Sequence, residues 1–312
     1  MASRIVVAGV SSLAVHLPVS GFPVEYEPVV SPPWVDTGPG GAGAQIATIL
    51  RSLGDDVELC TVVGADPVGS VLRGQLRSAG LDGPAVVEGP ASSQCVILVA
   101  PDGRRMVYPH LSVVNTVRYP EDRFVEALAG ADLAVLTNTD FVRALLPPAV
   151  LRGVPVAVDV NVIADLDEPY YQPWLDVADI IFCSHERLPC PPRQWIAEVL
   201  TRHPGAAMAG VGRGPRGSML GLRDGQLVTA GAVAPLGVRN TSSAGDSLFA
   251  AFLHGWLATG NPVEALSDAV VFAGWRIGHR QPTSVTLCAD DLAGLRSRHP
   301  VRISLGWWDA GE

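Results

Sequence analysis

Short, continuously apolar runs alternate along this 312-residue chain with longer segments of helical periodicity, and that alternation limits the fold more than any other feature. The strand-like runs are Ile5 to Ala8, Val57 to Val63, Leu133 to Thr137, Val154 to Val160, Ile180 to Cys183 and Ala206 to Val211. The helical segments include Gly43 to Leu53, Val68 to Ala79, Glu121 to Ala129, Arg193 to Arg202, Asp246 to Ala258 and Pro262 to Ile277. A strand that is apolar on both faces needs cover on both sides, and a helix between successive strands supplies it. The pattern predicts a three-layer α/β domain on a mainly parallel sheet. With 48% hydrophobic and 17% charged residues and no shift in composition, the chain reads as one domain over 1–312.

Two segments break the rhythm. Phe22 to Val35 and Gln94 to Tyr108 hold short extended pieces with turn residues such as Pro101, Asp102 and Gly103, and they are expected to pair as a small β-lid over one end of the sheet. The Pro-rich patches Ser31 to Trp34 and Leu188 to Pro192 read as loops.

A net charge of −9, from 22 Lys and Arg against 31 Asp and Glu, with no basic stripe, argues against a nucleic-acid partner. The apolar stretch Ser247 to Val263 is interrupted at His254 and at Gly260, Asn261 and Pro262, so it is too short to cross a membrane. Arg4 ahead of Ile5 to Val15 imitates a secretory signal, but Ile5 to Ala8 reads better as a buried first strand turned by Gly9. Five cysteines without a C-x-x-C pair predict neither a disulfide framework nor a zinc site. They read as buried thiols in a reducing compartment, the cytoplasm.

Two stretches match G-x-G-x-x-G: Gly38, Gly40 and Gly43, and Gly212, Gly214 and Gly217. Neither stands between a strand and a helix as a dinucleotide fingerprint must, since the first follows the Ser31 to Trp34 loop and the second leads into the strand-like Ser218 to Leu222. No Walker-type P-loop occurs. More informative is Val238-Arg239-Asn240-Thr241-Ser242-Ser243-Ala244-Gly245-Asp246, small residues that run into an apolar helix. Unpaired amides at a helix start, backed by its dipole, make an anion site, and a carboxylate beside it can take a hydroxyl proton. The bland reading is that Asp246 merely begins the helix.

The segment resembles the second signature of ribokinase-like (PfkB) kinases, D-T-x-[GA]-A-G-D followed by a helix. Gly40-Gly41-Ala42-Gly43-Ala44-Gln45-Ile46-Ala47, then Leu53-Gly54 and Val63-Gly64-Ala65-Asp66-Pro67-Val68-Gly69, resemble the first. The resemblance runs from Ile5 to about Thr286. It implies a ribokinase-like three-layer α/β/α domain with a β-lid and phosphoryl transfer from Mg2+-ATP to a sugar, nucleoside or related polyol. Asp246 is then the base, and Ser243, Ala244 and Gly245 form the anion hole. Ser12, Gly40, Gly41 and Gln45 bind the acceptor, and Ser184, Gly214, Gly217 and Thr241 bind the nucleotide. No protein metal ligand is expected, and two copies can pair through the lid.

Several positions depart from the family pattern. Ala14 stands where an Asp usually binds acceptor hydroxyls, with Ser12 and His16 close by as other donors. Gln45 replaces Asn, and Ser243 replaces Gly or Ala, which reads as a mild change. Asn240 replaces the first Asp, at a position the resemblance links to a monovalent-cation loop. A neutral amide there weakens a potassium site, and Gln281-Pro282 replaces a Gly-Ala pair nearby. The N-x-x-E motif becomes Ser184-His185-Glu186-Arg187, which leaves open whether Glu186 or Arg187 serves. Asp159 and Asn161 resemble a polar pair near the phosphate site. These changes also permit a second reading, a ligand-binding or regulatory protein with weakened catalysis on the kinase fold.

Overall fold

All six apolar runs become strands of one ten-stranded sheet in a computed structural model that describes residues 2–111 and 113–309. In chain order the strands are β1 (Arg4–Ala8), β2 (Ser12–Pro18), β3 (Asp36–Gly40), β4 (Asp56–Gly64), β5 (Val86–Gly89), β6 (Ser93–Val99) and β7 (Arg105–His110). They continue with β8 (Leu133–Leu136), β9 (Val156–Asp159), β10 (Ile180–Ser184), β11 (Met208–Gly212), β12 (Ser218–Leu222), β13 (Gln226–Ala230) and β14 (Ile303–Trp307). The helices are α1 (Ala42–Leu53), α2 (Pro67–Ser78), α3 (Glu121–Ala127), α4 (Asp140–Arg143) and α5 (Leu146–Leu151). After them come α6 (Gln172–Leu175), α7 (Pro192–Arg202), α8 (Ala244–Thr259), α9 (Pro262–Arg276) and α10 (Ala289–Arg298).

The large sheet runs β14-β13-β12-β11-β10-β9-β8-β1-β4-β5. It is parallel from β5 to β11 and antiparallel from β11 to β14. One face packs on α1, α8 and α9, through residues such as Ile46, Leu50, Phe249, Phe252 and Phe272. The other face packs on α3, α5 and α7, through Phe124, Ala149 and Ile196. Phe182 of β10 meets Phe249 and Phe252 with ring centroids 5.2 and 5.0 Å apart, each buried ring contributing about 1.5–3 kcal/mol. That wedge seats α8 against the sheet. The chain leaves β1 towards β4 on one side and β8 on the other, and crevices for ligands open at such reversals beyond the carboxyl ends of the strands.

Over that end lies a second, four-stranded sheet in the order β3-β2-β6-β7. Residues 94–108 do supply β6 and β7, but Phe22 to Val35 carries no strand and forms an exposed loop between β2 and β3. Strand β2 is hidden in the sequence because Ile5 to Val15 is nearly unbroken in apolar character. The chain bends at Gly9, where it is held by Gly43, and divides that run between two sheets. A Cβ on Gly43 would sit 2.5 Å from the carbonyl carbon of Gly9. Side chains alternate along β2, so Ser12, Ala14 and His16 share the buried face. All five cysteines are free, but only Cys60, Cys95 and Cys183 are buried; Cys288 is exposed at the start of α10.

Candidate active site

Helix α8 begins at Ala244, two residues ahead of Asp246, so the carboxylate sits in its first turn. Ser243 precedes it in the left-handed region at φ 58°, a conformation that glycine adopts without steric cost. Its side chain makes no capping bond to the helix. Instead Ser243 Oγ donates to Asp246 Oδ2 at 2.7 Å. The first-turn amides of Gly245 and Asp246 therefore have partners neither in the helix nor in its cap, as an anion site requires. The serine is thus not the mild replacement expected, because its hydroxyl orients the carboxylate.

Beside this turn, β9 ends on Asp159, which is 8% exposed. A Cβ on Gly245 would lie 3.7 Å from Asp159 Oδ2, so the two carboxylates flank the same amides. Asn161, at φ 58°, donates its backbone N–H to Asp159 Oδ1 at 2.8 Å and its side chain to Asn138. Burial pushes the Asp159 carboxyl up to about 7, with the Asp246 charge adding to the effect. Burial raises Asp246 too, but the Ser243 hydroxyl and the charges of Arg276 and Arg105 pull it back. The counter-charges favour the ionised form of Asp246.

Neither arginine stands out in the sequence. Arg276, fully buried on α9, donates to Gln45 Oε1 at 2.7 Å, Ser247 Oγ at 3.0 Å and the Val285 carbonyl at 3.0 Å. Gln45 also donates to the carbonyls of Pro39 and Thr283, both at 3.3 Å. Both of its N–H donors and one acceptor site of Oε1 are engaged, so Gln45 braces α1 against α9. Arg105 comes from lid strand β7, and its guanidinium lies 3.5 Å from Glu186 Oε1. Glu186 thereby joins the Asp246 side of the site, whereas the charge of Arg187 acts on Tyr171.

The glycines of the first motif serve close approach. Gly41 caps α1 at φ 87°, and a Cβ there would meet the Val10 carbonyl oxygen at 2.3 Å. At Gly40 a Cβ would lie 2.9 Å from Ser12 Oγ. Ser12 is 3% exposed with its hydroxyl 3.8 Å from Cys95 Sγ, and Ala14 belongs to an apolar cluster with Cys95, Ile97 and Val99. Asp66 caps α2 by accepting from Gly69 N at 2.6 Å and also holds Ser92 N at 2.7 Å, tying β4 to the start of β6.

On the other side, the loops after β10 and β11 meet where His185 Nδ1 lies 3.0 Å from the Gly212 carbonyl oxygen. The His185 ring would be 3.3 Å from a Cβ on Gly214, which sits at φ 56°. Ser184 Oγ accepts from Glu186 N at 3.3 Å. A Cβ on Gly217 would lie 2.0 Å from the Ala230 carbonyl oxygen, which only glycine tolerates. Thr241 donates through both N and Oγ1 to the Gly103 carbonyl, at 3.0 and 2.8 Å, so its hydroxyl anchors the β6–β7 turn.

Residues 2–287 match the family model for pfkB family carbohydrate kinases. The chain belongs to that family. Membership makes it a small-molecule kinase with ATP as the phosphoryl donor. Among curated proteins it is 29% identical, over 74% of its length and 77% of the relative's, to the ATP-dependent ribose-1-phosphate kinase of Halopiger xanaduensis. It is 28% identical to the acarbose 7(IV)-phosphotransferase of an Actinoplanes species, over 86% and 88% of the two chains. Its fold superposes on a microbiome-derived acarbose kinase with a TM-score of 0.83 at 21% identity, covering 96% of this chain and all of that one. Arabidopsis thaliana ribokinase, solved with ribose and ATP, gives 0.77 at 22% identity, over 95% and 99%.

The pfkB pattern explains why Asp246, Gly245 and the glycine-rich start of α1 are visible in the sequence: each sits in a short contiguous motif. It says nothing of Arg105 or Arg276. Only a charged residue within a buried helical stretch, at Arg276, could have drawn notice.

Proposed function

We propose that this kinase transfers the γ-phosphoryl group of ATP to a hydroxyl of a sugar, nucleoside or related polyol, with Asp246 as general base. The observation that carries the reading is the uncapped start of α8, where the Ser243 hydroxyl turns away from the helix and onto the Asp246 carboxylate. Asp246 accepts the hydroxyl proton as the acceptor oxygen bonds to phosphorus. The bond from phosphorus to the bridging oxygen breaks and ADP leaves. Of the Ser243, Ala244 and Gly245 amides expected to form the anion hole, that of Gly245 is free to face the negative charge of the transferring group, while Ala244 N–H is engaged by the Thr241 carbonyl at 3.3 Å. Ser12 and the Gly40-Gly41 backbone bound the acceptor side, and Ser184, Gly214 and Gly217 the nucleotide side.

Among the described residues no group of three or more His, Cys, Asp or Glu gathers to hold a metal. Mg2+ would arrive with ATP, and Glu186 is the residue that would reach it through water. Bound there, the ion would neutralise charge on the phosphates. The Arg105 guanidinium beside Glu186 lies on the lid, so lid position governs how much positive charge faces the transferring group. The free cysteines fit a reducing compartment such as the cytoplasm.

Asn240 Nδ2 donates to the Arg280 carbonyl at 2.9 Å, so an N–H occupies an oxygen in the loop where a monovalent cation would bind. Turnover should be unchanged when KCl is replaced by tetramethylammonium chloride; a large loss of kcat would refute the substitution of cation by amide.

The test is ADP release from Mg-ATP with pentoses, hexoses, polyols, nucleosides, ribose 1-phosphate and acarbose. Turnover with one class supports the reading and names the acceptor. Intact ATP binding with no turnover on any of them would overturn it.

A further inference from the structure

Lid strand β2 reaches the anion hole through one buried pair, His16 and Asn240, each 1% exposed. Asn240 Oδ1 lies 2.9 Å from Ser242 N and 2.6 Å from Ser242 Oγ. A backbone N–H can only donate, which fixes the orientation of the amide: this atom is the oxygen and the other is the donor. That donor, Nδ2, lies 2.9 Å from the Arg280 carbonyl oxygen and 3.1 Å from His16 Nδ1. The amide nitrogen does not accept hydrogen bonds, so His16 Nδ1 must. The imidazole is therefore neutral, with its proton on Nε2, an atom that is buried without a partner.

The chain of contacts leads to the chemistry. Asn240 grips Ser242 at two atoms, Ser243 follows in its left-handed turn, and Ser243 Oγ holds Asp246. At its other end, β2 carries Ser12 beside Gly40. We propose that His16 is a positioning residue for phosphoryl transfer: its Nδ1 lone pair holds the Asn240 amide, and through it the lid strand and the anion-hole loop keep a common geometry. The proposal rests on the kinase reading.

Protonation reverses the contact. A charged imidazole presents N–H at Nδ1, so that donor faces donor and the Asn240 amide is released. The charged groups facing His16 are Asp36, registered opposite it on β3, and Arg280, which pairs with Asp36 at 2.6 Å. Asp36 favours the charged ring but burial outweighs it, and the His16 pKa lies below the ordinary imidazole range. A depressed base is neutral at pH 7, so the contact is intact there and is lost as the pH falls below that range.

The experiment measures kcat and KM from pH 5 to 9, roughly spanning the imidazole range, for the full chain and for His16→Leu and His16→Asn, with the acceptor that wild type turns over. His16→Leu removes the lone pair and should lower kcat by about 10²-fold, the scale of a small misplacement of catalytic groups, with a smaller change in KM. His16→Asn can set a carbonyl oxygen where Nδ1 stood. It should recover much of the rate and lose one ionisation from the acid limb, since its amide does not titrate. A purely structural role would lower the melting temperature of both variants and leave the shape of the acid limb alone, and that result overturns the proposal. So does wild-type kcat in an active His16→Leu. Should His16→Leu fail to fold, the acid limb of His16→Asn decides. Nitrogen-15 NMR of labelled histidine should find the Nε2–H tautomer, and an Nδ1–H form overturns the proposal whatever the protein's activity. A wild type silent on every acceptor overturns the kinase reading together with this one.

Discussion

Asp246→Asn should lower kcat by about 10² to 10⁴-fold and leave a folded chain that still binds ATP. The amide keeps the shape and can still accept from Ser243 Oγ, which now donates at 2.7 Å, but it cannot take the acceptor's proton. Stability should move the other way. The Asp246 carboxyl is raised above the usual carboxylate range by burial, so the folded chain binds its proton more tightly than the unfolded one. A raised acid weakens the fold once the pH exceeds its unfolded pKa, and the penalty is relieved as the pH falls. Removing the charge should therefore leave the melting temperature at pH 8 equal to or above that of wild type. Steady-state kinetics and a thermal melt check both halves. Wild-type turnover in the variant would mean that another group is the base.

Arg276→Met should cost about 3–5 kcal/mol of stability, read from the urea midpoint, because it removes one partner from a fully buried polar network. It strands Gln45 Oε1 and withdraws a donor from Ser247 Oγ and the Val285 carbonyl. Burial lowers the arginine's pKa to about 10, so its charge is not fully compensated. The loss must come from stranded acceptors and lost packing rather than from a favourable charge. A Gln45→Leu, Arg276→Met double variant should then lose less than the sum of the single losses, since each change already breaks the shared bond. Asp246 would also lose a cationic neighbour, so the acid limb of kcat should move to higher pH in Arg276→Met. An unchanged midpoint would show that the brace is not structural, and an unmoved acid limb would remove Arg276 from the electrostatics of the base.

The sequence made the proposed anion hole legible because its parts are contiguous. Small residues, a helix start and a carboxylate occur within nine positions, Val238 to Asp246, and local backbone geometry brings them together. Interactions across long separations carry no such pattern. Gln45 and Arg276 are 231 residues apart, and His16 and Asn240 are 224 apart, so each reads alone as a solitary polar residue. The three protein partners of the Gln45 amide are therefore invisible in the sequence. Phe22 to Val35 looked like a lid strand because extended, β-prone residues resemble a strand until a neighbour is needed to pair with them.

By itself the sequence determined the layered fold, since strands covered on both faces must be apolar throughout, and it located the proposed base at the start of α8, since a helix start is a local event. The tertiary structure alone decided which charges surround Asp246, which amides at the start of α8 lack a partner, and how the lid is tied to the loop before that helix. Those depend on burial and on partners brought together from distant parts of the chain, and neither is written in any one segment.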